Sequence, residues 1–212
     1  MKKIAIILGC LIISACTSTQ FVGSWKSPEI SKLQPEKLLV VGMTDNLTAR
    51  KIFERELSTE LIKRGINAHE SATIIDASFT DSKKSETEID EMKDKLISEG
   101  FDTVILTAVI GVNEKRVYHP GQYYPIGFTW YRFGRYYYWF QDVYYTPDYY
   151  NDYRVYQIET SIYNIKQDGD KSLLWVGSFN IVDPSNVSVT VNDYVTQTIK
   201  QLEKEGVIDT FH

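Results

Sequence analysis

Apolar positions along the chain switch between two periods, and each switch marks an element. Leu38-Leu-Val-Val-Gly-Met43, opened by Lys37, is a short β-branched run without a polar side chain, which predicts a buried strand. From Leu47 to Arg64 the spacing changes. Ala49, Phe53, Leu57 and Leu61 recur every four residues with Ile52 beside them, one face of a helix. Asp45 or Asn46 can cap its start, Lys63-Arg64 fall in its last turn, and Gly65 stops it. Ile66 to Ala68 and the neighbourhood of Ile74-Ile75 suggest a second short strand.

Ser85-Glu-Thr-Glu88 has the form of a capping box, in which serine and glutamate satisfy each other's free backbone N–H groups. The helix it opens carries Ile89, Met92 and Leu96 and stops at Gly100. Thr103 to Ile110 is apolar on both faces, as expected of a central strand covered on both sides. Val155 to Ile165 alternates, with Tyr156, Ile158, Thr160 and Ile162 on one face and Gln157, Glu159 and Ser161 on the other. After the turn Gln167-Asp-Gly-Asp170, Leu173 to Ile181 supplies its antiparallel partner. Pro184 precedes a last helix with Val191, Tyr194, Val195, Ile199 and Leu202 on its apolar face and Gly206 behind it. The order β-α-β-α-β, an aromatic insert, then β-β-α predicts an α/β fold bordering on α+β. A mixed sheet in two or three layers would be closed by the hairpin.

The N-terminus follows another logic. Met1-Lys2-Lys3 is basic, and Ile4 to Ser14 is almost wholly apolar, too short for the roughly 20 residues a membrane-spanning helix needs. Ile13-Ser14-Ala15-Cys16 ends the run and resembles the bacterial lipobox. That resemblance implies a signal peptide over residues 1–15, diacylglyceryl transfer to Cys16, cleavage after Ala15 and acylation of the new terminus. Thr17, in place of Asp, resembles an outer-membrane address. Residues 16–35 then read as a lipidated tether, with one pinning point at Phe21 to Trp25, and residues 36–212 as a single domain. Cys10 would leave with the leader, so Cys16 would be the only cysteine kept and no intramolecular disulfide could form.

Composition narrows the function. The chain has 23 basic and 28 acidic residues, a net charge of −5; loss of Lys2 and Lys3 leaves 21 basic against the same 28 acidic residues, or −7. That balance argues against a nucleic-acid partner. Aromatic residues are concentrated in one place. Twelve Tyr, three Phe and two Trp lie between Tyr118 and Tyr153, out of 28 aromatics in the chain. The insert, residues 113–153, is broken into short extended pieces by Gly121, Pro125, Gly127, Gly134 and Pro147.

Tyr and Trp join an apolar ring to a polar handle, which suits half-buried surfaces, protein interfaces and sugar stacking. The candidate binding residues are Tyr123, Tyr124, Trp130, Tyr131, Tyr137, Trp139, Tyr144 and Tyr145, with Arg132 and Arg135 placed for cation–π contacts. Three uses are open for the segment: cover for the domain's own sheet, an interface to a protein or a second copy, or a platform for glycan strands.

Catalytic and cofactor signatures are missing. His69, His119 and His212 have no second histidine or cysteine at ligand spacing, and there is no GxSxG, P-loop or GxGxxG. Glu159, Asp142 and Asp152 could form a carboxylate pair for glycan hydrolysis, but scattered acids of this kind usually belong to a solvated surface. No metal or cofactor is expected.

The lipobox, the strand Leu38-Leu-Val-Val41, the helix from Arg50 ending in Leu61-Ile-Lys-Arg-Gly65, the hairpin with Trp175 and the ending Lys204-Glu-Gly-Val-Ile208 together resemble a family of envelope lipoproteins. These are small α/β lipoproteins like the curli-secretion lipoprotein and the lipoprotein activators of penicillin-binding proteins. The likeness spans residues 36–112 and 153–208 and rests on element order. It implies a membrane-anchored, non-enzymatic binding or assembly module at the outer membrane. The aromatic insert has no counterpart in the characterised members, so their activities do not carry over. A carbohydrate-binding module is the alternative, and a glycan hydrolase a distant third.

Overall fold

The computed structural model describes residues 18–76, 83–114, 154–167, 169–182, 184 and 186–211. Within them the chain is an α/β fold. Its strands are β1 (Thr19–Lys26), β2 (Leu38–Met43), β3 (Ala68–Glu70), β4 (Thr103–Glu114), β5 (Arg154–Asn164) and β6 (Leu173–Val182). Its α-helices are α1 (Leu47–Lys63), α2 (Ser71–Ile74), α3 (Glu86–Ser98) and α4 (Val187–Lys204). One mixed sheet runs in the order β1-β6-β5-β4-β2-β3. β2 pairs in parallel with β3 and β4, and the other neighbours are antiparallel.

The alternation of side chains across the strands builds two cores. Leu38, Val40, Ile105, Ile162, Trp175 and Phe179 face α1 and α4, meeting Phe53, Leu57, Leu61, Tyr194, Ile199 and Leu202. Leu39, Val41, Val104, Leu106 and Val176 face the other way and meet Ile89 and Leu96 of α3, so the sheet has helices on both faces. This explains why β2 carries no polar side chain. It is covered on both sides and all six residues are buried.

Local signals account for the helix ends. Asn46 Oδ1 accepts from Ala49 N at 3.0 Å, and Asn186 Oδ1 from Val189 N at 3.1 Å. The capping box of α3 forms in both directions, Glu88 N donating to Ser85 Oγ at 3.3 Å and Ser85 N to Glu88 Oε2 at 2.8 Å. Gly65, Gly100 and Gly206, expected as stops, have φ of 79°, 90° and 65°.

Two expectations need correction. Residues 19–26, read as part of the tether at 16–35, form the edge strand β1, in register from Thr19↔Ile181 to Lys26↔Trp175. The register shifts between Phe21 and Gly23, and this bulge breaks the period-two pattern by which a strand is recognised. Phe21 packs edge-on against Phe179 with ring centroids 5.5 Å apart. The second short strand is confined to Ala68–Glu70, and Ser71–Ile74, beside the expected Ile74-Ile75 strand, is a single helical turn.

Candidate functional site

Strand direction decides which chain segments meet. β2, β3, β4 and β6 point one way and β1 and β5 the other, so one end of the sheet gathers the last residues of four strands and the first residues of two. Glu114 pairs with Arg154, Val155 with Val182, and Thr19 with Ile181, in an unbroken row along that end. α1 and α4 both start there. In open α/β sheets the crevice beyond the carboxyl ends of parallel strands is the usual place for a ligand.

A cavity of about 350 Å3 lies there between the first turns of α1 and α4. Phe53, Val109, Ile158, Ile181, Val187 and Val191 give it an apolar wall. Gly42, which also borders it, lets α1 come close: a Cβ at this position would stand 3.2 Å from Phe53 Cδ1 and 3.4 Å from Arg50 Cγ.

Two polar networks border the cavity. In the first, Glu54 is fully buried and Arg50 is 6 % exposed. Glu54 Oε1 accepts from Arg50 Nε at 2.9 Å, Ser71 Oγ at 2.6 Å and Gly42 N at 3.0 Å, and Oε2 accepts from Ala72 N at 2.9 Å. Arg50 Nη2 donates to Ser71 Oγ at 2.8 Å. One carboxylate thus joins the end of β2, the first half of α1 and the start of α2.

The second network is a row of three hydroxyls. Thr107 Oγ1 lies 2.6 Å from Thr160 Oγ1, which lies 2.5 Å from Tyr194 Oη. Burial pushes the Tyr194 phenol far above its ordinary range, and the threonine hydroxyls around it only partly oppose the rise. The tyrosine therefore stays a neutral donor.

The same end receives the start of the chain. Asp193 Oδ2, on α4, accepts from Thr19 N at 2.8 Å and from Ser18 Oγ at 3.2 Å. β1 is therefore held to β6 along its length and to α4 at its first residue.

The residues expected to bind or to carry lipid fall elsewhere. Cys16 and the aromatic candidates Tyr123, Tyr124, Trp130, Tyr131, Arg132, Arg135, Tyr137, Trp139, Tyr144 and Tyr145 lie outside the described residues, as do His119, Asp142 and Asp152. Glu159 is described, on the face of β5 opposite Thr160 and away from the cavity. His69 stands on the edge strand β3 against Phe101, ring centroids 5.6 Å apart. Among the described residues no group of three or more His, Cys, Asp or Glu could hold a metal ion, and no helix is long and apolar enough to cross a membrane. Arg50, Thr107 and Tyr194 on the cavity wall, and Glu54 and Thr160 buried behind it, were not expected as a site. The pattern of α1 gave no sign that Arg50 and Glu54 are buried, and of the three hydroxyls Thr160 and Tyr194 fell on faces read as apolar.

No protein-family model matches the chain, and no curated protein matches it. Among solved structures, the PelC dodecamer from Paraburkholderia phytofirmans is 12% identical with a TM-score of 0.45, covering 89% of this chain and 98% of that one. A substituted form of the same dodecamer is 10% identical with a TM-score of 0.44, covering 85% of this chain and 98% of that one.

Proposed function

We propose that this protein is a lipid-anchored, non-enzymatic module of the bacterial envelope that binds a second envelope component through its aromatic segment. The supporting observation is the convergence at one end of the sheet. Thr19, three residues after Cys16, is held there by Asp193 and β6, and the aromatic segment leaves from Glu114 and returns at Arg154 in the same row of pairs. Three residues reach at most about 10 Å. An acylated Cys16 would therefore keep that end close to the membrane surface, and with it the two points from which the aromatic segment leaves and to which it returns. Several acyl chains, each buried methylene contributing about 0.8 kcal/mol, make such an anchor long-lived.

The test has two arms. Cells fed a labelled fatty acid should label the wild-type protein and not Cys16→Ser; equal labelling or none removes the anchor. Cross-linking in cells should then capture a specific partner with the wild type that a variant lacking residues 118–152 loses while its melting curve stays cooperative. Capture of the same partners by both would refute binding through the segment. Loss of sacculus or polysaccharide binding, with no protein captured, would favour the glycan-binding alternative.

A further inference from the structure

Exposed apolar side chains are spread unevenly over the molecule. Of the eight large ones among the described residues, only Ile62 and Phe211 lie at the end of the sheet where α1 and α4 finish. The other six are Phe21, Val22, Leu47, Val112, Val187 and Val189, each 38 to 66 % exposed. They lie at the opposite end, in the first turns of α1 and α4 and in the halves of β1 and β4 nearest to it. Phe21 and Val112 also stand on the face of the sheet that carries these two helices, since Phe179 and Tyr156, directly opposite them, pack into that core. Single exposed apolar residues are ordinary, but six gathered on one end and one side mark a contact surface.

Charge and the chain that precedes β1 narrow what it touches. Between Thr44 and Ala49 the only charged residue is Asp45, and between Asn186 and Asn192 there is none. Neither α1 nor α4 has an acidic residue in its first turn, whereas α3, on the other face of the sheet, has Glu86 and Glu88. The positive ends of two helix dipoles therefore lie among apolar side chains without a carboxylate in the turn to balance them. That pairing suits a phospholipid surface, which offers phosphate outside and methylenes beneath. The chain before β1 points the same way. Cys16 lies within about 10 Å of Thr19, and Phe21 and Val22 follow two and three residues later. A tether so short leaves this end of the domain as the one that meets the lipid.

We infer that this end of the domain docks on the bilayer surface itself. Leu47, Val187 and Val189 enter the boundary between headgroups and acyl chains, with Phe21 and Val22 beside them. The tether sets how far the domain can stray, and the apolar surface sets which way it faces. The inference deepens the lipid-anchor reading and rests on it for nearness to a membrane.

The test replaces acylation by a chemical tether. The chain from residue 16, which holds every described residue, carries Cys16→Ser and an N-terminal hexahistidine and is bound to phosphatidylcholine vesicles containing a nickel-chelating lipid. No native cysteine is then left, so Leu47→Cys, Val189→Cys or Ile62→Cys places one environment-sensitive fluorophore. Ile62 lies about 22 Å further along α1 than Leu47. Seated about 5–10 Å into the boundary, probes at positions 47 and 189 should shift to the blue and fall about twofold in emission with nitroxide-labelled acyl chains. A probe at position 62 should do neither. Leu47→Asp in the Val189→Cys chain should abolish the quenching while the protein stays on the vesicles. If Leu47→Asp does not fold, the comparison with position 62 decides alone. Equal responses at all three positions overturn the proposal, as does quenching at position 189 that a folded Leu47→Asp chain retains in full. Probes at 47 and 189 that are already blue without vesicles, and unchanged by them, also overturn it, because the chain itself or a second copy then covers the surface. Failure of the anchor reading appears instead in the fatty-acid labelling of Cys16, on which this tethered chain does not depend.

Discussion

Removing the Glu54 carboxylate should destabilise the protein more than any other single truncation at this end of the sheet. Glu54→Ala deletes the acceptor of four hydrogen bonds, from Arg50 Nε, Ser71 Oγ, Gly42 N and Ala72 N. Ala72 is exposed and its N–H can turn to water, whereas Gly42 is buried and Arg50 is nearly so. A buried neutral donor left unmet costs about 1–3 kcal/mol. Breaking a buried ion pair from one side costs about 3–5 kcal/mol in total, because the surviving charge stays in a poor solvent. Since domains of this kind have about 5–15 kcal/mol to lose, Glu54→Ala should remove a large share of the stability.

Arg50→Met should cost less, since Glu54 keeps three of its donors. The double change Arg50→Met with Glu54→Leu should recover most of the loss, as apolar replacements of buried pairs often do. Urea unfolding of the four proteins gives the coupling energy directly. A Glu54→Ala midpoint within about 1 kcal/mol of the wild type, or a double variant as damaged as Glu54→Ala alone, would refute this account of the network.

Two further outcomes follow from the same packing. At Gly177 an added Cβ would fall 2.7 Å from Cζ2 of Trp175, a fully buried ring whose Nε1 donates to Glu205 Oε2 at 2.7 Å and so cannot easily swing away. Gly177→Ala should cost about 1–3 kcal/mol, or about 2–4 °C of Tm per kcal/mol, and an unchanged thermal melt would count against it. The His69 imidazole is held below its ordinary value, first by burial and then by the charge of Lys37, whose Nζ stands 4.1 Å from the Phe101 ring on which His69 packs. A lowered folded value gives stability that is present above a pH of about 6.5 and is lost as pH falls through the folded value. Between pH 8 and pH 5 the wild type should lose more Tm than His69→Gln; parallel curves would show that the imidazole is indifferent to the fold.

The elements that could be read from the sequence are those with a repeating apolar period. α1, α3 and α4 declare themselves through Phe53, Leu57 and Leu61, through Ile89 and Leu96, and through Tyr194, Ile199 and Leu202, and the caps at Asn46 and Ser85 fix where two of them start. β5 shows its two faces because one packs on α4 and the other does not. β1 stayed hidden because an edge strand with a bulge at Val22 has neither a continuous apolar run nor a clean alternation. The cavity was less legible still. Arg50 and Glu54 are ordinary helix-surface residues by type, and only the fold of β2 and α2 around them turns that part of α1 inward. Thr107 and Thr160 are 53 residues apart and become neighbours only through the pairing of β4 with β5.

The pairing of Thr19 with Ile181 also orders events in time. β1 is the first strand of the sheet to be synthesised, yet its partner β6 is the last, so it must wait unpaired until almost the whole chain has been made. Such distant closure is slow compared with the local β5–β6 hairpin. During that wait β6 offers a free edge and Phe179 lacks the Phe21 ring that packs on it, so an extended strand of the right pattern can occupy the place. Two chains folding side by side can therefore exchange their first strands and become linked through a correctly formed sheet. The Asp193 carboxylate, reaching Thr19 from α4, rewards a strand that starts at the right residue, so it acts as a register stop at the moment the sheet is completed.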